Sequence, residues 1–184
     1  MPPTMVPVLS RAEIAQHVKT LAWRISRDYA EKDLVLIGIL KGAFIFLADL
    51  VRELTIPVEI DFVRLASYGS GTSSSGHVQI TKEMELDIGG RHVLIVEDIV
   101  DSGLTIAYLL DYLEPFRPKS IRLCALIDKT ERREVKIPTH YVGQVVERGF
   151  LVGYGLDFDE KYRALPEIYH LEPSTKGAGD DHPL

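Results

Sequence analysis

The sequence predicts an α/β fold in which a mainly parallel β-sheet is flanked by helices. Aliphatic runs of strand length alternate along the chain with segments whose apolar residues recur at helical spacing. Two of these runs, LVLIGIL and VLIV, show no polar alternation, as in strands buried on both faces of a parallel sheet. With 184 residues, 46% of them hydrophobic and 26% charged, the chain has the size and composition of one globular domain.

The first half of the chain predicts two helices and two strands. Ser10 and Glu13 match a capping box, and apolar residues follow at helical spacing as far as Tyr29. A buried strand is predicted over 34–40, a helix over 43–54 and a partly alternating strand over 58–65. The segment 67–76, SYGSGTSSSG, lies between two strand-like runs and is almost entirely small or polar, so we expect a mobile loop.

The second half predicts a strand over 93–96, a loop over 99–104, a helix over 105–113 and a strand over 121–127. Segments 142–146 and 151–154 are predicted as extra strands that form a small flap. Beyond Leu171 the tail EPSTKGAGDDHPL has almost nothing to bury. We therefore expect one domain over 1–171 and disorder over 172–184.

Composition and charge favour a small-molecule site. A formal net charge of −6 disfavours broad nucleic-acid binding, so no nucleic-acid partner is expected. The longest aliphatic run is too short to span a bilayer, and the N-terminus MPPTMVPVLS has no basic segment followed by an apolar one, so we expect a cytoplasmic protein without membrane partners. The single cysteine, Cys124, lies in an apolar run and is predicted to be a core residue.

The stretch VLIVEDIVDSGLT, residues 93–105, carries the clearest functional pattern. Its strand is predicted to end at Glu97-Asp98, and the carboxyl ends of parallel strands are where ligands bind. The following DSGLT suits a phosphate at a helix N-terminus, because Gly103 permits close backbone approach while Ser102 and Thr105 add hydroxyl groups. The carboxylates would repel that phosphate unless they face hydroxyl groups or a divalent cation. A phosphorylated ribose with a metal-bound polyphosphate meets both conditions; the alternative is a capped turn with solvated acids.

The same stretch resembles the phosphoribosyl pyrophosphate signature of type I phosphoribosyltransferases, and details along nearly the whole chain resemble the hypoxanthine-guanine branch of that family. The resemblance implies purine salvage: a purine nitrogen attacks ribose C1 of phosphoribosyl pyrophosphate, pyrophosphate leaves, and IMP or GMP forms. It implies that Asp101 is the general base. It also implies a ribose and 5′-phosphate site formed by Glu97, Asp98, Asp101, Ser102, Gly103, Leu104 and Thr105.

Pyrophosphate binding is implied for Lys41, Gly42, Arg133 and Arg163. Leu40-Lys41-Gly42 stands where the family has a Leu-Lys-Gly whose first peptide bond is often cis, which turns main-chain N–H groups toward pyrophosphate. Ser67 and Tyr68 match the beginning of the family's catalytic lid, which would keep water from the reacting sugar. The resemblance further implies the cofactor Mg²⁺, held by Glu97, Asp98 and Asp157.

Purine binding is implied for the segments LIDK, ending at Lys129, and FLVGYGLD, residues 150–157. In the family the Lys contacts the 6-oxo group, the Phe, here Phe150, stacks on the purine, and the carbonyl after it, here that of Leu151, binds the base edge, while Asp157 lies near the metal. Two departures stand beside these matches. Glu147-Arg-Gly149 precedes Phe150 where many relatives have Pro-Asp and another residue, and Leu151 replaces the usual Val.

Two alternatives remain at the level of sequence. One is a phosphoribosyltransferase for another base, such as xanthine or a pyrimidine; the other is a nucleotide-sensing, RNA-binding regulator on the same fold. Intact Asp101, lid and Phe150 segments favour catalysis, and the acidic balance disfavours RNA. Because the Lys129 ammonium only donates hydrogen bonds, we expect 6-oxopurines to be used and adenine to be rejected. The resemblance also implies a homo-oligomer, either a dimer or a tetramer.

Overall fold

The computed structural model describes residues 3–68 and 77–172. Three helices, nine strands and one short 3-10 helix are seen in these ranges. In chain order they are β1 (Thr4–Leu9), α1 (Arg11–Asp28), β2 (Leu34–Leu40), α2 (Phe44–Glu53), β3 (Glu59–Tyr68), β4 (His77–Lys82), β5 (His92–Val100), α3 (Leu104–Leu113), the 3-10 helix Glu114–Phe116, β6 (Ser120–Lys129), β7 (Tyr141–Val146), β8 (Leu151–Val152) and β9 (Ile168–Glu172).

The main sheet has six strands in the order β4-β3-β2-β5-β6-β7. All neighbours pair in parallel except β4, which is antiparallel to β3. Residues of β2 point alternately into two hydrophobic clusters: Leu34 and Leu36 pack with α1 and α2, and Val35 and Ile37 pack with α3. Helices thus cover both faces, which confirms the predicted α/β class and explains why the central strands are continuously apolar.

A second sheet of three antiparallel strands has the order β1-β9-β8. The predicted flap is therefore only partly right. Residues 142–146 belong to β7, which pairs in parallel with β6 at the edge of the main sheet, whereas 151–152 form β8 of the smaller sheet. The strand β1 escaped prediction because its side chains are mostly exposed and Pro7 interrupts the apolar pattern.

The predicted bounds of α1, α2, α3, β2, β6 and β7 agree with the structure to within two residues at each end, whereas β3 runs three residues past its predicted end and β9 was not predicted. The capping box is present: Ser10 Oγ accepts from the Glu13 N–H at 3.3 Å, and the Glu13 carboxylate accepts from the Ser10 N–H at 2.8 Å. Cys124 is fully buried in the cluster under α1, as predicted. Within the described residues, no helix combines the length and apolar character needed to cross a membrane.

The strand β5 is longer than the predicted 93–96, so Glu97 and Asp98 lie inside it rather than after it. Its pairing with β2 ends at Gly38 and Val96, but its pairing with β6 continues to Val100 opposite Asp128. Pairing with β6 therefore keeps the backbone of β5 extended beyond the point where its pairing with β2 ends. The two carboxylates lie in a strand that is paired on one side.

The structure describes only the edges of the two segments expected to be mobile or disordered, 67–76 and 172–184. Ser67 and Tyr68 end β3, where they pair with Val78 and His77, and the rest of the loop expected over 67–76 lies outside the described residues. At the other end, Glu172 pairs with Thr4 and so belongs to β9 rather than to a disordered tail. The remainder of that expected tail, 173–184, also lies outside the described residues.

Candidate active site

Two adjoining cavities open at the carboxyl ends of the parallel strands. The first, here called the Lys41 cavity, has a volume of about 300 Å³ and is lined by Ile39, Leu40, Lys41, Gly42, Glu97, Asp98, Ile99, Asp101, Phe150, Leu151, Leu156, Asp157 and Arg163. The second, the Gly103 cavity, measures about 230 Å³ and is lined by Glu97, Asp98, Ile99, Val100, Asp101, Ser102, Gly103, Thr105 and Ile106. The shared acidic residues join the two spaces into one site.

The Gly103 cavity is formed by the turn that leads from β5 into α3. Gly103 precedes the helix with a φ of 86°, and a Cβ there would come within 2.6 Å of the Val135 carbonyl oxygen. Only glycine fits this left-handed, crowded position. Ser102 Oγ accepts from the Leu104 N–H at 3.3 Å. The cavity therefore lies at the N-terminus of α3, whose first N–H groups suit a phosphate, although Leu104 is not among its lining residues.

Glu97 and Asp98 are each only 7% exposed and lie side by side in β5. The Asp98 N–H donates to Glu97 Oε1 at 3.1 Å, and the Ile99 N–H donates to Asp98 Oδ1 at 2.8 Å. Burial, together with the neighbouring Asp98 charge, raises the pKa of Glu97 well above its usual range. The Asp98 carboxylate lies so close to Gly42 that a Cβ on that residue would overlap it. Such an acidic pair is suited to hydroxyl groups or to a cation.

Asp101, which lines both cavities, forms an ion pair with Lys129. Lys129 Nζ lies 3.0 Å from Asp101 Oδ2 and donates to the Gly149 carbonyl at 3.0 Å, with a side chain that is only 5% exposed. The other oxygen, Asp101 Oδ1, is buried and has no hydrogen-bond partner among residues 3–68 and 77–172. Asp101, the predicted general base, and Lys129, the predicted donor to the purine 6-oxo group, are thus in direct contact. Asp101 Oδ1 remains available among the described residues to accept a hydrogen bond.

Arg133 is placed differently from its predicted role. Its guanidinium donates to the carbonyls of Asp101 at 2.7 Å, Lys129 at 2.9 Å and Val100 at 3.0 Å, and it also pairs with Asp128. Within the described part of the chain it lines neither cavity. The structure therefore does not bring Arg133 to the other predicted pyrophosphate residues. It joins the end of β5 to the end of β6 instead.

The remaining predicted pyrophosphate residues meet at the Lys41 cavity. The Leu40–Lys41 peptide is cis, as the resemblance implies. Lys41 Nζ lies 2.7 Å from Glu160 Oε2, while Arg163 Nη2 lies 2.8 Å from Asp157 Oδ1 and 3.4 Å from Glu160 Oε1. Sequence reasoning missed Glu160, because it is one of three acids in the run DFDE and no spacing distinguishes it.

Phe150 lines the Lys41 cavity and is about half exposed, as a stacking surface requires. Its ring meets that of Phe158 in a T-shaped contact, with centroids 5.4 Å apart and planes at 86°. Leu151, the predicted base-edge residue, lies in β8 opposite His170. Phe158 was also missed from the sequence, since an aromatic residue in an acidic turn gives no sign of what it packs against.

The predicted metal ligands do not form a complete protein site. Within the described residues, no group of three or more His, Cys, Asp or Glu side chains could hold a metal ion. Asp157 is engaged by Arg163 and accepts from the Glu160 N–H at 2.9 Å. The adjacent carboxylates of Glu97 and Asp98 nevertheless fit Mg²⁺, which binds through one or two carboxylates and takes its other ligands from water and substrate phosphates.

A larger cavity of about 620 Å³ lies away from all the predicted site residues. It is bordered by α1, α2 and residues 164–166, with Tyr154 donating from its hydroxyl to Asp49 at 2.6 Å. Size alone does not identify a reactive centre. The two smaller, adjoining cavities combine a helix N-terminus, buried acids and cations, so they form the candidate active site.

Comparison with known proteins adds an independent observation. A family model described as a phosphoribosyl transferase domain matches residues 8–159. Hypoxanthine-guanine phosphoribosyltransferase of Aquifex aeolicus is 46% identical over 166 residues, covering 90% of this chain and 93% of that protein. Hypoxanthine phosphoribosyltransferase of Escherichia coli K12 is 42% identical over 167 residues, covering 90% and 94%. A crystal structure of a Staphylococcus aureus hypoxanthine phosphoribosyltransferase superposes with a TM-score of 0.88 at 38% identity, covering 93% of each chain.

Proposed function

The chain belongs to the phosphoribosyltransferase family, and from this premise we propose that it is the purine-salvage enzyme that transfers the 5-phosphoribosyl group from phosphoribosyl pyrophosphate to hypoxanthine and guanine. The products are IMP or GMP and pyrophosphate. The observation that carries the assignment is the arrangement of Lys129 between Asp101 and the Gly149 carbonyl, where Asp101 also lines the cavity at the N-terminus of α3. This arrangement joins a base-reading donor, a proton acceptor and a sugar-phosphate site.

In the proposed complex the 5′-phosphate binds in the Gly103 cavity. The N–H groups at the start of α3 and the hydroxyls of Ser102 and Thr105 donate to its oxygens. The carboxylates of Glu97 and Asp98 accept from the two ribose hydroxyls, directly or through a metal-bound water. This anchoring fixes ribose C1 in the Lys41 cavity, where a purine nitrogen and pyrophosphate can lie on opposite faces of the sugar.

Asp101 is proposed as the proton acceptor. As the purine nitrogen forms its bond to ribose C1 and the bond from C1 to pyrophosphate breaks, the imidazole ring of the base becomes acidic. Its proton passes to the Asp101 carboxylate, whose Oδ1 has no partner among the described residues. Lys129 meanwhile donates to the 6-oxo group, which fixes the purine in the orientation that presents the correct nitrogen to the sugar.

The leaving pyrophosphate is proposed to bind to the main chain at Lys41-Gly42 and to the Arg163 guanidinium. Mg²⁺ held by Glu97 and Asp98, with Asp157 nearby, would neutralise charge on the pyrophosphate oxygens. Phe150 stacks on the base, and the Leu151 carbonyl accepts from its edge. Ser67 and Tyr68 begin the lid that excludes water from the positively charged sugar.

The assignment is tested by product analysis after the protein is incubated with phosphoribosyl pyrophosphate, Mg²⁺ and a panel of bases. Hypoxanthine and guanine should give nucleotides, whereas adenine and pyrimidines should not. Adenine presents a 6-amino group, which leaves the buried Lys129 ammonium without an acceptor. Efficient use of adenine would overturn the 6-oxopurine assignment, and use of xanthine alone would move the protein to another base specificity.

We further propose that the protein acts in the cytoplasm as a homo-oligomer of two or four chains, as the family resemblance implies. Sedimentation velocity at several protein concentrations separates these two states from each other and from a monomer. A single species with the mass of one chain across the whole concentration range would contradict the proposal.

A further inference from the structure

Two cations at the Lys41 cavity share one carboxylate. The Glu160 carboxylate uses Oε2 for Lys41 Nζ at 2.7 Å and Oε1 for Arg163 Nη2 at 3.4 Å. Both cations line the cavity, but Glu160 does not belong to its wall. A single acidic side chain at the rim therefore links the two positive groups that face the space proposed for pyrophosphate.

The backbone holds Glu160 in this position. Asp159, Glu160 and Tyr162 have φ values of 52°, 60° and 75°, a left-handed conformation that is uncommon for residues other than glycine. The Glu160 N–H donates to Asp157 Oδ2 at 2.9 Å, and Phe158 and Lys161 exchange backbone hydrogen bonds across the turn. The carboxylate is thus presented to the cations by a fixed turn rather than by a freely moving loop.

The link is also easy to exchange. Glu160 is 65% exposed and Lys41 is 46% exposed, so water can solvate both charges when they separate. A carboxylate this exposed, with two cations beside it, is ionised at neutral pH. An incoming polyanion with several charged oxygens would compete for the same donors and would repel the carboxylate at close range.

We propose that Glu160 is an internal counter-ion of the pyrophosphate site: it pairs with Lys41 and Arg163 in the empty enzyme, is displaced when the pyrophosphate group binds, and returns to promote release. This role rests on the proposed function, since it assumes that pyrophosphate binds at these cations. Glu160 then positions the two cations and weakens the hold on the leaving group. It touches no reacting atom.

The test measures binding of pyrophosphate with Mg²⁺ to the full chain by titration calorimetry. Glu160→Gln should bind pyrophosphate roughly 3- to 10-fold more tightly, because a competing and repelling charge is removed. The matched control is Asp159→Asn, which makes the same change in net charge one residue away, where the carboxylate lies 3.7 Å from Lys161 Nζ. It should alter the affinity by less than about twofold. Glu160→Asp, which keeps the charge, should remain close to the unaltered protein.

Kinetics supply a second readout that a merely structural role would not change. In Glu160→Gln the KM for phosphoribosyl pyrophosphate should fall, and pyrophosphate should become a stronger product inhibitor. A damaged fold cannot produce this gain in affinity. Equal tightening in Asp159→Asn and Glu160→Gln would overturn the proposal in favour of a general charge effect, and no tightening in Glu160→Gln would overturn it outright.

The unaltered protein and Lys41→Met separate this proposal from the proposed function. If the unaltered protein fails to bind pyrophosphate, the site assignment is wrong and the counter-ion role falls with it. If pyrophosphate binds and Lys41→Met weakens it, yet Glu160→Gln leaves the affinity unchanged, only the counter-ion role is overturned.

Discussion

Two ion pairs of similar length at the candidate site differ in how far their side chains are exposed to solvent. Lys129 lies 3.0 Å from Asp101 with a side chain 5% exposed, whereas Lys41 lies 2.7 Å from Glu160 with a side chain 46% exposed. A buried charge that loses its partner cannot be solvated by water, whereas an exposed charge can. If the base binds at Lys129 and pyrophosphate at Lys41, as proposed, the buried pair is suited to reject a wrong ligand and the exposed pair to bind and release one.

The largest expected effect is on the buried pair. Lys129→Ala should lower kcat/KM for hypoxanthine by about 10²- to 10³-fold, because the 6-oxo group loses its donor and Asp101 loses its counter-ion. The residual kcat/KM for adenine should change much less, so that the ratio of kcat/KM for hypoxanthine to kcat/KM for adenine becomes smaller. Steady-state kinetics with both bases test this. Comparable losses for the two would show that Lys129 serves the phosphate or the fold instead.

The next largest effect is expected for Asp101→Asn, in which turnover should fall by about 10²-fold while substrate binding is retained. The amide keeps the shape of the carboxylate but cannot accept the imidazole proton. Single-turnover measurements isolate the chemical step, and calorimetry on the same variant measures binding. Unchanged turnover under conditions where chemistry limits the rate would remove Asp101 from the role of general base.

Arg133→Lys separates a loop-holding role from direct contact with pyrophosphate. A lysine cannot reproduce the fork that reaches the carbonyls of Val100, Asp101 and Lys129, so the turn that leads from β5 into α3 should loosen. We expect KM for phosphoribosyl pyrophosphate to rise by roughly 10-fold while the affinity for pyrophosphate alone stays within about twofold. Arg132→Lys, at an exposed neighbouring position, is the control. A matching loss of pyrophosphate affinity in Arg133→Lys would restore the contact predicted from the sequence.

The smallest expected effect concerns the aromatic contact at the base end. Phe158→Leu removes the ring that meets Phe150 edge to face and should raise KM for hypoxanthine by about 2- to 5-fold with little change in kcat. Phe116→Leu, an exposed phenylalanine after α3, provides a matched control. If kcat falls as much as kcat/KM, Phe158 has a part in the chemical step that its position does not suggest.

The sequence predicted what depends on local pattern. The elements α1 and β2, and the turn around Gly103, could be read because capping, burial and helix entry each have a signature in adjacent residues. The site residues of that turn were found for the same reason. Their catalytic roles came from the family resemblance and remain predictions.

What the sequence did not reveal depends on partners far along the chain. The extra length of β5 follows from its pairing with β6, and the position of Arg133 follows from its hydrogen bonds to the carbonyls of Asp101 and Lys129 at the ends of these two strands. The contact between Glu160 and Lys41 joins residues 119 positions apart. Such contacts leave no periodicity, because either residue alone resembles an ordinary surface charge.

The unequal pairing of β5 also bears on which changes of chain length the protein can accommodate. The site opens where the pairing between β2 and β5 ends, at Gly38 and Val96, while β5 continues beside β6. Because side chains alternate along a strand, deleting or inserting one residue within 97–100 would reverse the face on which the following side chains lie and would shift the turn that leads from β5 into α3. An insertion between α1 and β2, at the other end of the parallel strands, would shift neither. We therefore expect natural and engineered length variation to avoid the four residues after Val96, even where single substitutions there are accepted.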